Sequence, residues 1–304
     1  MKLIPFGASG LEVPAIALGC MRINRLNDEE AKTYVRTALD MGANFFDHAD
    51  IYGGGKCEEI FGRAIRGIPR DRLLIQSKCG IVPGQRFDFS KEHILEAVDG
   101  ILSRLGVDYL DSLLLHRPDA LMEPQEVAEA VMKLKAEGKI LNFGVSNQNP
   151  YQMQLLQKYL PIPLVANQLQ LSLTNCTMIS QGIEVNMDRS NSLGRDGGVL
   201  DFCRLNDITI QPWSPFQFGY FGGVFLGSPD YPELNAAIDK LAEKYSVTNT
   251  TIAVAWLLRH PAKFQPICGT MNLSRLQECL KATEITLTRQ EWYDLYKAAG
   301  NILP

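Results

Sequence analysis

The sequence predicts an α/β fold, a (β/α)8 TIM barrel, from three observations. Eight short apolar runs recur along the chain, each followed by a helix-period segment or a long loop. The runs are apolar on both faces and often close on a polar residue, as buried parallel strands do. No G-x-G-x-x-G stands after the first run, whereas a doubly wound sheet more often shows five or six strands and a Gly-rich first turn. Right-handed crossovers then favour one closed barrel. The 304 residues would also fit two ordinary domains, but a barrel takes about 250 residues and leaves a surplus for additions. One domain over residues 1–304 is expected.

Taken in order, Met1 to Val13, with Gly7 and Gly10, reads as an N-terminal β-hairpin plugging the barrel bottom. The strand candidates are Ala15–Gly19, Asn44–Asp47, Leu73–Lys78, Ser112–His116, Leu141–Ser146, Leu164–Gln168, Ile208–Trp213 and Phe264–Gly269. Asp28-Glu29-Glu30 starts a helix that runs towards Met41 and ends at Gly42. Ser90-Lys91-Glu92-His93 supplies the cap residue and acidic first turn of another. Further helices centre on Val127–Ala136, Tyr151–Lys158, Pro232–Tyr245 and Thr250–His260, with a terminal one over Arg289–Ala299. Leu171–Gly198, containing Arg189 to Gly194, reads as a long, polar, mobile loop. Gln217–Pro232 is rich in Gly and aromatics (Phe218, Tyr220, Phe221, Phe225), which suggest an apolar, aromatic guest. Both follow late strands, so both belong at the C-terminal face, where barrel chemistry sits.

Composition narrows the class. Against 34 Asp+Glu stand 30 Lys+Arg, a formal charge of −4, which argues against a nucleic-acid partner needing a broad basic face. No run of 18 apolar residues suggests a membrane span, and the first residues lead into no signal-peptide core. A soluble cytoplasmic enzyme is expected. Seven cysteines without a tight pairing motif fit free thiols in a reducing compartment. No heptad or exposed apolar helix points to a dimer, so the oligomeric state stays open.

Chemistry is suggested by four polar residues near strand ends. Asp47 closes the second strand with Tyr52 five residues on, Lys78 closes the third and His116 the fourth. A free tyrosine, with a pKa near 10, is too weak an acid to protonate an alkoxide at neutral pH. A neighbouring Lys78 ammonium would lower that value, with Asp47 holding the lysine charged and His116 orienting a carbonyl oxygen. The set reads as a general acid for carbonyl reduction, with hydride from a cofactor. Singly, each has a blander reading: a cap, a loop aromatic, a solvated strand end, a satisfied core histidine. Their joint occurrence on successive strands favours the chemistry. His48, beside Asp47, should face the helix layer as a buried, satisfied histidine.

Asn44-Phe45-Phe46-Asp47-His48-Ala49-Asp50-Ile51-Tyr52-Gly53, Ser77-Lys78, Leu115-His116, Gly144-Val145-Ser146-Asn147 and Asn167-Gln168 occur in the order of the aldo-keto reductase motifs. The chain resembles that family over nearly its whole length, and a bacterial branch of its oxidoreductases in particular. The resemblance implies reduction of an aldehyde or ketone by hydride transfer from a nicotinamide. Tyr52 would be the acid, assisted by Lys78, Asp47 and His116. Ser146, Asn147 and Gln168 would hold the carboxamide, and Trp213 would stack on the nicotinamide where the family usually has Tyr. Ser214 and Phe216 would open the loop over the pyrophosphate, with Gly222-Gly223 letting its backbone close, and Met21 would line the ribose and substrate mouth.

Gly269, Thr270, Asn272, Arg275 and Glu278 lie in the segment that resembles the 2′-phosphate site. Amides opening a helix, with Arg275 adding a forked contact, favour NADP(H) over NAD(H). Asn272 stands where a Lys is common and Cys279 where an Asn is frequent. NAD(H) therefore stays possible.

Two alternatives remain. A nicotinamide-binding regulatory protein with little turnover keeps the fold. A metal-dependent barrel hydrolase would use Asp47, His48, Asp50, Lys78 and His116, but four histidines in the chain leave it short of ligands. No metal is expected.

Overall fold

The computed structural model describes residues 1–188 and 194–304. Antiparallel β1 (Leu3–Pro5) and β2 (Glu12–Pro14) form the expected hairpin. Barrel strands follow as β3 (Ala17–Gly19), β4 (Phe45–Asp47), β5 (Leu74–Cys79), then β8 (Leu110–Leu115) after a small hairpin of β6 (Ile81–Val82) and β7 (Arg86–Phe87). The set is completed by β9 (Ile140–Ser146), β10 (Leu164–Gln170), β11 (Thr209–Trp213) and β12 (Ile267–Cys268). Eight strands lie in the order β11-β10-β9-β8-β5-β4-β3-β12, each ladder parallel. The seam between the ends is bridged by the Gln265 N–H, which donates to the Ile210 carbonyl at 3.1 Å. The (β/α)8 expectation holds.

Helices cover the outside. The expected ones are α1 (Asp28–Asp40), α3 (Lys91–Leu105), α4 (Pro124–Ala136), α5 (Pro150–Gln157), α8 (Pro232–Tyr245), α9 (Asn249–Leu258) and, at the end, α11 (Arg289–Ala298). Local chemistry explains their starts. Asn27 and Glu30 form a reciprocal capping box on α1, and Asn149 and Gln152 form another on α5, where Pro150 occupies the first turn. Ser90 accepts from the His93 N–H to cap α3.

Three further helices have no counterpart among the expected ones: α2 (Lys56–Ala64), α6 (Thr177–Ile183), which lies in the segment read as a loop, and α7 (Val199–Leu205). None has a side-chain cap, because Gly55, Cys176 and Gly198 occupy the cap positions. Their stability comes from tertiary packing of Cys57 and Phe61, Met178 and Ile179, and Val199 and Leu200. Helix α6 corrects the reading of residues 171–198 as loop throughout; residues 189–193 of that segment lie outside the described residues. The segment after β12 continues into α10 (Leu273–Lys281).

The core has two parts. A large cluster fills the space between strands and helices. A smaller one, including Ile4, Phe6, Val13, Phe45, Leu114 and Val165, seats the hairpin against the barrel bottom. Gly7 makes that contact possible at φ +52°, since a Cβ there would come 2.3 Å from the Val165 carbonyl oxygen. Its N–H donates to Thr209 Oγ1 of β11 at 2.7 Å. Among the described residues no helix is long and apolar enough to cross a membrane.

Candidate active site

Parallel strands end at one rim, so β4, β5 and β8 deliver Asp47, Lys78 and His116 to the same place, and the turn after β4 adds Tyr52. Lys78 is wholly buried. Its Nζ donates to Asp47 Oδ2 at 2.8 Å, to the His48 carbonyl at 2.6 Å and to the Tyr52 hydroxyl at 3.3 Å. Those three acceptors use every N–H of the ammonium. The Tyr52 and His116 rings meet edge to face, with centroids 5.9 Å apart. All four expected residues therefore converge.

Their electrostatics correct one expectation. Burial pushes the Tyr52 phenol above its ordinary range, and the pull of the Lys78 ammonium does not offset it. The phenol stays protonated, the state a proton donor needs. Lys78 loses solvation, yet Asp47 and Tyr52 hold its pKa above the usual lysine value. Burial, then the charges of Lys78 and Arg117, hold His116 well below the usual histidine range, so its imidazole is neutral.

Asp47 is also bound by Gln76, which the sequence reading passed over, and by Gln168, which it assigned to the carboxamide. Its Oδ1 accepts from Gln76 Nε2 at 2.6 Å and from Gln168 Nε2 at 3.0 Å. Both amides reach Gln211 Oε1, and Gln211 Nε2 donates to Gln265 Oε1 at 2.8 Å. Four buried glutamines from β5, β10, β11 and the segment before β12 thus form a polar layer across the barrel. Polar residues at inward strand positions were the available signal, hidden inside runs read as apolar.

His48 is buried and faces the helix layer, with its ring 4.4 Å from that of Phe61 on α2. It is not satisfied: among the described residues neither ring nitrogen has a hydrogen-bond partner. Burial and the Lys78 charge push its pKa down to about 3. Asp50 has one buried oxygen without a hydrogen-bond partner among the described residues. Burial and then the neighbouring Glu58 raise its carboxyl to about 7.

The neighbouring strand ends carry amides and a hydroxyl. Ser146 Oγ donates to the Gln168 carbonyl at 2.9 Å and accepts from Asn147 Nδ2 at 2.7 Å. Asn147 Oδ1 in turn accepts from the Trp213 indole N–H at 3.1 Å. The indole is half-buried at the rim. Asn167 departs from the expectation for its pair, because its amide donates to the Gln148 carbonyl and towards Met153 of α5, away from the barrel interior. This set fits a nicotinamide: amide and hydroxyl groups lie beside a flat aromatic face, and Asn147 Nδ2 donates to the carbonyl of His116, the neighbour of the Tyr52 ring, at 3.2 Å.

Around the rim, Met21 is exposed. Ser214 adopts a left-handed φ of 52° and its carbonyl accepts from the Gln217 N–H, while the Phe216 carbonyl accepts from the Phe225 N–H. The aromatic loop divides. Phe225 is core and Phe218 packs on Tyr231, whereas Tyr220 and Phe221 lie against Trp213. Gly222 and Gly223 serve the Phe218 ring, since a Cβ at Gly223 would sit 2.8 Å from it.

At the far side, Thr270 accepts through its carbonyl from the Tyr34 hydroxyl, and the Gly269 carbonyl accepts from Arg22 at 3.2 Å. Asn272 caps α10 by accepting from the Arg275 N–H at 3.0 Å, which accounts for Asn at that position. The side chain of Arg275 is exposed, and Glu278 lies half-buried one turn further on. Cys279 is buried, and its proximity together with burial pushes the Cys268 thiol well above the ordinary range. All seven cysteines are free thiols. Among the described residues no group of three or more His, Cys, Asp or Glu side chains could hold a metal ion.

The profile of the Aldo/keto reductase family matches residues 15–299. The uncharacterized oxidoreductase YcsN of Bacillus subtilis (strain 168) is 34% identical over 306 residues, 96% of this chain and 96% of that protein. A 6-dehydroglucose reductase of Agrobacterium fabrum is 34% identical over 305 residues, 95% of each. An aldo/keto reductase from Klebsiella pneumoniae, solved in complex with NADP and acetate, is similar with a TM-score of 0.77 and 28% identity. That match covers 100% of this chain and 97% of the other. With the profile running from the first barrel strand to the terminal helix, and two relatives at 34% identity almost end to end, the chain belongs to the aldo/keto reductase family.

Proposed function

We propose that the protein reduces an aldehyde or ketone to an alcohol with NADPH. The observation that carries this reading is the buried ammonium of Lys78, shared between Asp47 and the Tyr52 hydroxyl. When bound, NADPH would supply the hydride. Tyr52 then donates its proton to the carbonyl oxygen as negative charge develops there. The phenolate left behind lies beside the Lys78 ammonium, whose charge Asp47 sustains. His116, kept neutral by burial, orients the carbonyl oxygen without competing as a stronger acid.

Ser146, Asn147 and Gln168 would hold the carboxamide, with Trp213 against the nicotinamide ring. Ser214 and Phe216 would approach the pyrophosphate, and Met21 the ribose. Gly269, Thr270, Asn272, Arg275 and Glu278 would surround the adenosine end, where the α10 amides and the Arg275 guanidinium favour a 2′-phosphate. The NADP-bound neighbour and the relative named a reductase support this reading.

Loss of NADPH absorbance against a panel of aromatic and aliphatic aldehydes tests it; no turnover with any of them would count against it. Quenching of tryptophan fluorescence on titration with NADPH and NADH tests the cofactor choice. NADPH should bind more tightly, and Arg275→Ala should remove most of the difference.

A further inference from the structure

Directly after His116, at the barrel mouth, stands an arginine with no anionic partner among the described residues. Arg63, Arg70 and Arg104 meet Asp28, Asp111 and Glu58 at 2.8, 2.7 and 2.8 Å. Among the described residues Arg117 forms no ion pair and donates no side-chain hydrogen bond. The acid nearest to it in sequence, Asp119, is committed elsewhere, since its two oxygens accept from the Phe89 and Leu121 N–H groups at 2.9 Å each.

Aromatic faces hold Arg117 instead. Its guanidinium carbon lies 5.6 Å from the Trp213 ring centre and 5.6 Å from that of Tyr220. Tyr220 and Trp213 meet edge to face at 6.4 Å, and Phe221 completes the patch, 4.6 Å from Tyr220. Such a site fixes the plane of a guanidinium by cation–π contact while leaving its N–H donors unspent. A half-buried cation with open donors is complementary to an anion, and the planar fork matches a carboxylate.

We propose that Arg117 is a specificity-determining residue that binds the carboxylate of an anionic carbonyl substrate, held in position by Trp213 and Tyr220. The proposal rests on the reductase reading of the adjoining site and names the class of substrate that site takes. Its carbonyl end lies at Tyr52 and His116, its body against the aromatic patch, and its carboxylate on Arg117. The aromatic loop so acquires a role different from that of an apolar pocket alone: it positions a charge.

The test compares 3- and 4-carboxybenzaldehyde with their carbamoyl counterparts, which match them in size and lack the charge. Wild-type protein should favour the carboxylate of at least one pair by about tenfold or more in kcat/KM, the scale of one charge-assisted hydrogen bond. Arg117→Met and Arg117→Gln should bring that ratio to within about twofold of one, mainly through KM. Equal use of both members of each pair by the wild type, or a preference that survives both substitutions, would overturn the proposal.

A binding arm separates this outcome from failure of the reductase reading. The corresponding hydroxymethylbenzoates and hydroxymethylbenzamides are titrated by tryptophan fluorescence in the presence of NADP+, which requires no turnover. If no aldehyde is reduced, the reductase reading fails, yet an Arg117-dependent preference for the benzoate still upholds the carboxylate site. Equal affinities there would overturn it.

Discussion

Lys78 Nζ and Asp47 Oδ2 lie 2.8 Å apart, with side chains 0% and 2% exposed, at the junction of two barrel strands. Taking two charges out of water is costly, and removing one partner strands the other. Lys78→Met should therefore lower unfolding stability by about 3–5 kcal/mol. Adding Asp47→Leu to it should recover part of that loss, while reductase activity stays abolished in both. Urea denaturation of the two single variants and the double variant provides the check. Strictly additive losses would mean that the ion pair is not coupled.

Asp50 gives a pH dependence with a definite sign. Its folded pKa, about 7, lies above the ordinary 3.8, so the folded state keeps a proton that the unfolded state releases. The resulting stabilisation is fully present below about pH 4 and is lost as the pH rises through 7. Glu58, Arg104 and Lys78 are the charges acting on it. Asp50→Asn cannot ionise, so its melting temperature relative to wild type should rise between pH 5 and pH 8. Parallel melting curves over that interval would rule out the buried proton.

His48 offers the opposite substitution, one expected to stabilise. Among the described residues both ring nitrogens are buried without hydrogen-bond partners, and the ring lies against Phe61. An unsatisfied buried polar group costs about 1–3 kcal/mol, and His48→Leu removes it while leaving the backbone carbonyl that Lys78 uses. The variant should gain about 1 kcal/mol near neutrality. The gain should grow as the pH falls from about 6.5 towards 3, because the native histidine resists the proton that the unfolded one accepts. Denaturation at pH 7 and pH 5 measures both; a destabilised variant would show that the ring packing outweighs the lost polarity.

Barrel order is readable because short runs apolar on both faces alternate with helix-period segments, and polar residues such as Asp47 and Lys78 mark strand ends. Helices α2, α6 and α7 were not, since Gly55, Cys176 and Gly198 give no cap signal and their order depends on packing partners distant in sequence. The four candidate residues, Asp47, Tyr52, Lys78 and His116, could be named from their places at or just after strand ends. The direction of the Tyr52 shift could not, because it depends on how far burial outweighs one ammonium, which is a property of three-dimensional surroundings. The same holds for the layer of Gln76, Gln168, Gln211 and Gln265, whose members only a closed barrel brings together. It holds too for Arg117, whose lack of an acidic partner among the described residues shows only once Asp119 is seen bound to backbone.

The central claim is that Tyr52 is the proton donor. The most direct measurement is the steady-state rate of NADPH oxidation by Tyr52→Phe with the best aldehyde substrate, alongside NADPH affinity by fluorescence titration. The account predicts a fall in kcat of about 10²–10⁴-fold, the usual contribution of a positioned general acid, with the cofactor still bound. Turnover within a few-fold of wild type would contradict it.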